Sequence, residues 1–357
     1  MIRVLVDLLF YTGARGGMES YVRELYTHMP SEGYEYVALA SAEFAAGDTS
    51  WFPGEIVITG VTSANRVAWA TAELTTVSRA ARQHHIDLIH APANIGPIAG
   101  RVPVVATIHD LLPFRHPEFV PGPYARILRT LIRRTAHHAR RLLTVSEASR
   151  NDIVRLLRQS KDNVDVIPLA GPPVGGSAVP RARRTLLAVG NRLPHKNVEA
   201  LIRALAIVPE HERPKLIITG SGRGDPLVPL VHELGLDHSI DLRGWLPAEE
   251  LEQLYATATA TVIPSLFEGF GLPVLEAMSR GCPVLVSDIP VLHEVAGPAA
   301  LYFDATSPHG IAAVIHSAME QPERLRELAT AGTIRAAEFS WARTAAATAA
   351  SFRRALG

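Results

Sequence analysis

Two glutamates separated by seven residues, Glu268 and Glu276, lie in the run Ile263-Pro-Ser-Leu-Phe-Glu268-Gly-Phe-Gly-Leu-Pro-Val-Leu-Glu276-Ala-Met. Pro273 sits where a first helical turn begins, so the run predicts a strand ending near Pro264, a loop carrying Glu268, and a helix start. Backbone N–H groups of Phe270, Gly271 and Leu272 are then unpaired at that start. With the helix dipole they form an anion site suited to a diphosphate. Glu276, one turn on, is placed to accept hydrogen bonds from hydroxyls. Acidic residues also favour helix N-termini for their own sake, which accounts for Glu276 more readily than for Glu268, since Glu268 precedes the helix and is followed by glycine. A second cluster is Gly190-Asn-Arg-Leu-Pro-His-Lys-Asn197. A lysine at a helix start opposes the dipole, and an anionic ligand supplies a reason for Lys196. His109 ends the apolar run Val104-Val-Ala-Thr-Ile-His109, where strand ends in open sheets meet ligands; a structural histidine is the alternative. The loop Thr12-Gly-Ala-Arg-Gly16-Gly17 carries neither the dinucleotide fingerprint nor a phosphate-loop lysine. Its glycines let backbone approach a ligand, or simply make a tight turn.

These groups need a scaffold that brings loops to one edge. Short Val- and Ile-rich runs alternate with longer amphipathic stretches, the pattern of parallel sheets covered by helices. Strands are expected near 3–7, 36–40, 56–59, 87–90, 104–108, 142–145 and 165–168, and again near 185–189, 215–219, 240–242, 260–264, 283–287 and 301–304. The Gly/Pro-dense stretch 171–183 lacks either periodicity and reads as a linker. The expected organisation is a first domain over 1–170, the linker over 171–183, a second domain over 184–340, and a C-terminal helix over 341–357 packing back towards the first domain. The fold class is α/β, two doubly wound Rossmann-like domains facing across a cleft, where such sheets bind ligands.

Composition narrows the partners. The 357 residues carry 35 Lys+Arg and 35 Asp+Glu, a formal net charge of zero, which argues against nucleic-acid binding. A single cysteine, Cys282, excludes an internal disulfide framework and is compatible with a reducing cytoplasm. No apolar run approaches about 18 residues, and the apolar start is interrupted by Asp7, so it reads as a strand and not a signal peptide. No His/Asp/Glu cluster has metal-ligand spacing. The stretch Arg126–Arg141 places six arginines in an arc of roughly 140° on one helix. It is a candidate for peripheral contact with an anionic inner-membrane face, weighed against an ordinary solvated helix, which the lack of Trp or Phe on its apolar side favours.

The segment Ser265–Gly281 resembles the signature of the retaining, family 4 glycosyltransferases, which have the GT-B fold. Thr144-Val-Ser-Glu-Ala-Ser149, Val166-Ile-Pro168, Pro194-His-Lys-Asn197, Thr107-Ile-His-Asp110 and Gly16-Gly-Met-Glu19 extend the resemblance over nearly the whole chain. It implies transfer of a hexosyl unit from a nucleoside-diphosphate sugar (GDP-mannose or a UDP-hexose) to a hydroxyl of a glycan, glycolipid or natural product, without metal or other cofactor. It further implies that His109 and Glu268 act at the transferred sugar and that Glu276 binds ribose. Gly16, Gly17, Lys196, Phe270, Gly271 and Leu272 then bind the donor. Many relatives have arginines where this chain has Asn191 and His195, and Arg192, one position off register, is the expected replacement. An epimerase or hydrolase acting at the same nucleotide sugar, or a non-catalytic sugar-nucleotide-binding subunit, are the alternative readings.

Overall fold

A computed structural model describes residues 1–13, 16–62, 66–120, 122–175, 181, 184–222 and 224–357. Ala14 and Arg15 of the glycine loop, and residues 176–180, 182 and 183 of the linker stretch, lie outside the described residues. The chain divides into two compact units, Met1–Leu169 with Trp341–Gly357, and Ala170–Ser340.

The first unit is built on a seven-stranded parallel sheet: β1 (Ile2–Leu8), β2 (Tyr34–Ala40), β3 (Glu55–Ile58), β4 (Leu88–Ala91), β5 (Val104–Thr107), β6 (Arg141–Thr144) and β7 (Val164–Val166), in the order β3-β2-β1-β4-β5-β6-β7. The second holds a six-stranded parallel sheet: β8 (Thr185–Val189), β9 (Lys215–Ser221), β10 (Ile240–Gly244), β11 (Ala260–Ile263), β12 (Val284–Ser287) and β13 (Ala300–Phe303), in the order β10-β9-β8-β11-β12-β13. Helices cover both faces, which is why the strands read as nearly unbroken apolar runs: Leu5, Val37, Ile89 and Leu142 in one core, Leu186, Leu216, Val262 and Leu285 in the other, are all buried. Strand order reverses between β1 and β4, and between β8 and β11, and each reversal opens a crevice beyond the carboxyl ends of the two strands.

The C-terminal helix Trp341–Leu356 packs on helix Gly17–His28 and on β5 and β6. Its contacts are specific: Thr344 Oγ1 donates to Pro168 O at 2.7 Å, Ser351 Oγ to Asp165 Oδ2 at 2.6 Å, and Phe352 is fully buried.

The arginine-rich stretch is shorter than its sequence pattern. The helix spans Tyr124–His138, and the chain then turns so that the Arg140 N–H donates to Val104 O at 2.8 Å. Arg141 opens β6 and forks onto Asp165 (2.9 and 2.7 Å), so it does not belong to the basic face. That face consists of exposed Arg126, Arg133, Arg134 and His137, with Ile127 52% exposed among them. No helix among the described residues is long and apolar enough to cross a membrane.

Candidate active site

At the β8/β11 reversal, a recess of about 320 Å³ including its open mouth is lined by the ends of both strands together with Asn191, Lys196, Ser265, Glu268 and Pro273. Lys196 Nζ donates to both carboxylate oxygens of Glu268, at 2.8 and 2.9 Å, and Ser265 Oγ donates to Oε1 at 2.7 Å. The Glu268 side chain is 9% exposed and that of Lys196 22%, so the pair is largely withdrawn from water yet open on one side.

Local structure forces this meeting. After β8 the chain makes a single 3₁₀ turn, Pro194–Lys196, before the helix Val198–Ile207 begins. Asn197 between them adopts a left-handed conformation (φ 56°), and its Nδ2 donates to Pro264 O at 3.0 Å and Ala305 O at 2.8 Å. The Leu266 N–H donates to His195 O at 2.8 Å. Together these bonds lash the loops after β8, β11 and β13 to one another. Lys196 therefore stands at the end of a 3₁₀ turn and not in the first turn of a helix, and in the ligand-free protein its counter-charge is Glu268.

The helix Leu272–Ser279 starts as the Pro273 position predicts. Its N-cap, Gly271, has φ 104°, and a Cβ there would lie 2.8 Å from the buried Leu292 Cδ2. Only glycine fits both demands. The N–H groups of Phe270, Gly271 and Leu272 donate to no acceptor among the described residues. Glu276 is half-buried, and its Oε2 accepts from the Tyr255 hydroxyl at 2.8 Å. Burial raises its carboxyl above the usual range, opposed by the Tyr255 hydroxyl and the Arg280 charge.

Arg192 departs from expectation. Its guanidinium turns inward, with NH2 2.8 Å from Asp225 Oδ2 and NH1 2.7 Å from Thr219 O, and its side chain is only 6% exposed. Burial raises the Asp225 carboxyl, but the Arg192 fork more than offsets this and holds it below the ordinary range. Arg192 thus closes the β8 and β9 ends, and the structure does not bring it to the recess. Asn191, one residue earlier, lines the recess instead.

The remaining expected residues belong to the first unit. Gly16 is extended (φ −172°) and caps the helix Gly17–His28. A Cβ on Gly16 or Gly17 would meet open space, and neither has a positive φ, so the fold itself does not demand glycine at either position. His109 is buried, and its Nε2 lies 2.8 Å from Pro92 O. A carbonyl can only accept, so Nε2 carries the proton. Burial lowers its pKa to about 4, leaving the ring neutral near pH 7. Beneath it runs a buried chain of hydrogen bonds: Tyr26 hydroxyl to His90 Nδ1 (2.6 Å), His90 Nε2 to Thr107 Oγ1 (3.0 Å), and Thr107 Oγ1 to the Tyr21 hydroxyl (3.1 Å). Tyr21 meets the His109 ring edge-on at 4.7 Å.

Sequence reasoning missed Asn197, Ser265 and Tyr255. The first two flank residues it did select, and a loop asparagine directly after Lys196 was a usable signal. Tyr255 lies in the last turn of an amphipathic helix and gives none. Among the described residues, no group of three or more His, Cys, Asp and Glu side chains converges as a metal site.

Comparison with known proteins gives two family matches that together span most of the chain: the Glycosyltransferase Family 4 model over residues 15–170, and the Glycosyl transferases group 1 model over residues 176–335. The O-antigen chain mannosyltransferase B of Escherichia coli is 35% identical over 254 residues, 66% of this chain and 66% of that protein. The MMP alpha-(1->4)-mannosyltransferase of Mycolicibacterium hassiacum is 32% identical over 305 residues, 78% of this chain and 72% of the relative. Among solved structures, sucrose-phosphate synthase from Thermosynechococcus elongatus matches with a TM-score of 0.82 at 18% identity, covering 99% of each chain. Anabaena Alr3699/HepE in complex with UDP-glucose matches with a TM-score of 0.76 at 18% identity, over 99% of this chain and 100% of that one. With relatives of this similarity and a GT-B fold in common with these structures, the chain belongs to glycosyltransferase family 4 and is a sugar-transferring enzyme.

Proposed function

We propose that the enzyme moves a hexosyl unit from a nucleoside-diphosphate sugar to a hydroxyl acceptor on a glycan, glycolipid or small molecule, with retention of anomeric configuration. The carrying observation is the convergence at one strand reversal of a lysine, a carboxylate paired with it, and the first turn of a helix, which lines the recess through Pro273. As the anomeric C–O bond breaks, negative charge gathers on the departing diphosphate. Lys196 and the N–H groups of Phe270, Gly271 and Leu272 stabilise it there without needing a metal ion. Glu268 accepts hydrogen bonds from the donor sugar, and Glu276 from the ribose. Gly16 and Gly17 offer backbone close to the sugar and diphosphate. His109, neutral at physiological pH, serves as a hydrogen-bonding group beside the sugar and not as a cation. The acceptor oxygen attacks on the face the diphosphate leaves, and its proton passes to a phosphate oxygen.

The mannosyltransferase names of the two sequence relatives support mannose as the transferred sugar, for which GDP-mannose is the candidate donor, and the UDP-glucose complex of the Anabaena neighbour supports a UDP-hexose as the other candidate. The exposed arginines of helix Tyr124–His138 support peripheral contact with anionic lipid on the cytoplasmic side. Salt-sensitive co-sedimentation with phosphatidylglycerol vesicles, absent with phosphatidylcholine alone, checks that contact. Incubating the protein with GDP-mannose or UDP-glucose, with and without acceptor alcohols, tests the central claim. Acceptor-dependent release of nucleotide is expected. Acceptor-independent inversion at C2 would mark an epimerase, and tight donor binding without turnover a sensor.

A further inference from the structure

Glu276 is held from behind by a tyrosine that no comparison assigns. Tyr255, on helix Ala248–Thr257, is fully buried, and its hydroxyl donates to Glu276 Oε2 at 2.8 Å. Glu276 Oε1, the other carboxylate oxygen, accepts from no described residue, and the residue is only half-buried. The Arg280 guanidinium, one helical turn beyond Glu276, lies 4.8 Å over the Tyr255 ring and pairs with Glu252, while its NH1 donates to Glu276 O at 2.6 Å. The Tyr255 ring is thus held on its face by the guanidinium, while its hydroxyl holds the Glu276 carboxylate.

We propose that Tyr255, backed by Arg280, is a positioning residue for Glu276, presenting one carboxylate oxygen to the ribose hydroxyls of the donor. The inference rests on the donor reading above. A vicinal diol donates two hydrogen bonds and needs an acceptor-only partner, whereas a protonated Glu276 would itself be a donor. Burial pushes the Glu276 carboxyl towards that protonated form. A hydrogen bond received by the carboxylate opposes this, because it stabilises only the charged state. Tyr255 is a dependable donor, since burial and the adjacent carboxylate raise its own pKa well above the ordinary value. Removing the hydroxyl should therefore both loosen the carboxylate and shift its titration upward.

The test compares wild type, Tyr255→Phe and Glu276→Gln by calorimetric titration with UDP and with GDP between about pH 5 and 8. Ligand-free melting serves as a check that the Phe variant, which keeps the ring, is folded. Tyr255→Phe should weaken nucleotide binding about three- to tenfold at neutral pH, the scale of one hydrogen bond of ordinary net strength. Its affinity should also fall off at a higher pH than that of wild type. Glu276→Gln should bind weakly with a flatter pH profile, a change that a merely structural tyrosine would not reproduce. Wild-type affinity and pH profile in Tyr255→Phe, with Glu276→Gln impaired, would overturn the inference and leave the donor reading intact. Unimpaired binding by Glu276→Gln, or no binding of either nucleotide by wild type, would overturn the donor reading itself.

Discussion

Replacing Lys196 by alanine separates two jobs that the ion pair combines. Without its partner the Glu268 carboxylate, 9% exposed, keeps only the Ser265 hydroxyl. Stranding one member of a buried pair costs about 3–5 kcal/mol. Water reaching the 22% exposed Lys196 position screens part of that, which leaves about 2 kcal/mol. For a unit of this size, that lowers the melting temperature by about 4–8 °C. Adding Glu268→Gln removes the lone charge, so the double variant should regain most of the lost stability. Transfer should not return. Losing a group that stabilises charge in the transition state typically costs a factor of about 100–1,000 in rate, and neither variant contains the lysine. Thermal melting read beside nucleotide release in a defined donor assay gives both quantities. Double-variant stability no better than that of Lys196→Ala would show that pairing is not what the lysine supplies to the fold. Recovered turnover in the double variant would refute the assignment of Lys196 to the diphosphate.

Gly271→Ala should lose about 1–3 kcal/mol from its positive φ and from the contact at 2.8 Å with Leu292, and should weaken UDP binding as the helix start shifts; unchanged melting and affinity would contradict the geometry. Asn197→Ala removes two bonds that tie three loops and should destabilise the second unit by about 1–3 kcal/mol, measured by denaturant titration. His109, with a pKa lowered from 6.5 to about 4, binds fewer protons folded than unfolded between those values. Its contribution is thus fully present above pH 6.5 and is lost as pH falls towards 4. Wild type should therefore lose about 3 kcal/mol relative to His109→Gln over that window, and parallel pH profiles would exclude a buried neutral imidazole. Chelator in the donor assay should leave transfer unchanged if Lys196 and the helix start neutralise the diphosphate unaided, and inactivation reversed by magnesium would show that they do not.

The strands were legible because sheets covered on both faces write themselves as apolar runs. β8 was placed at its observed ends, and most others within one or two residues. The helix start at Gly271 was equally legible from the order Gly, Leu, Pro. What the sequence does not show is a partner distant along the chain. Lys196 and Glu268 are 72 positions apart, so no local pattern shows that the lysine is already paired. Arg192, expected to replace an arginine of the relatives, pairs instead with Asp225, 33 residues on. Arg141 continued a basic helical pattern but obeyed Asp165, and β-pairing with Val105 overrode helical periodicity. Tyr255 was silent because a buried aromatic in an amphipathic helix looks the same whether its hydroxyl serves the core or a neighbouring carboxylate.

The return of helix Trp341–Leu356 onto β5 and β6 makes the first unit discontinuous in the chain, while the second is one uninterrupted segment. During synthesis, Ala170–Ser340 can collapse as soon as it leaves the ribosome, but the surface around Tyr34 and Asp165 stays uncovered until helix Trp341–Leu356 arrives. Cleavage near residue 340 would consequently injure the unit that begins at Met1 and spare Ala170–Ser340.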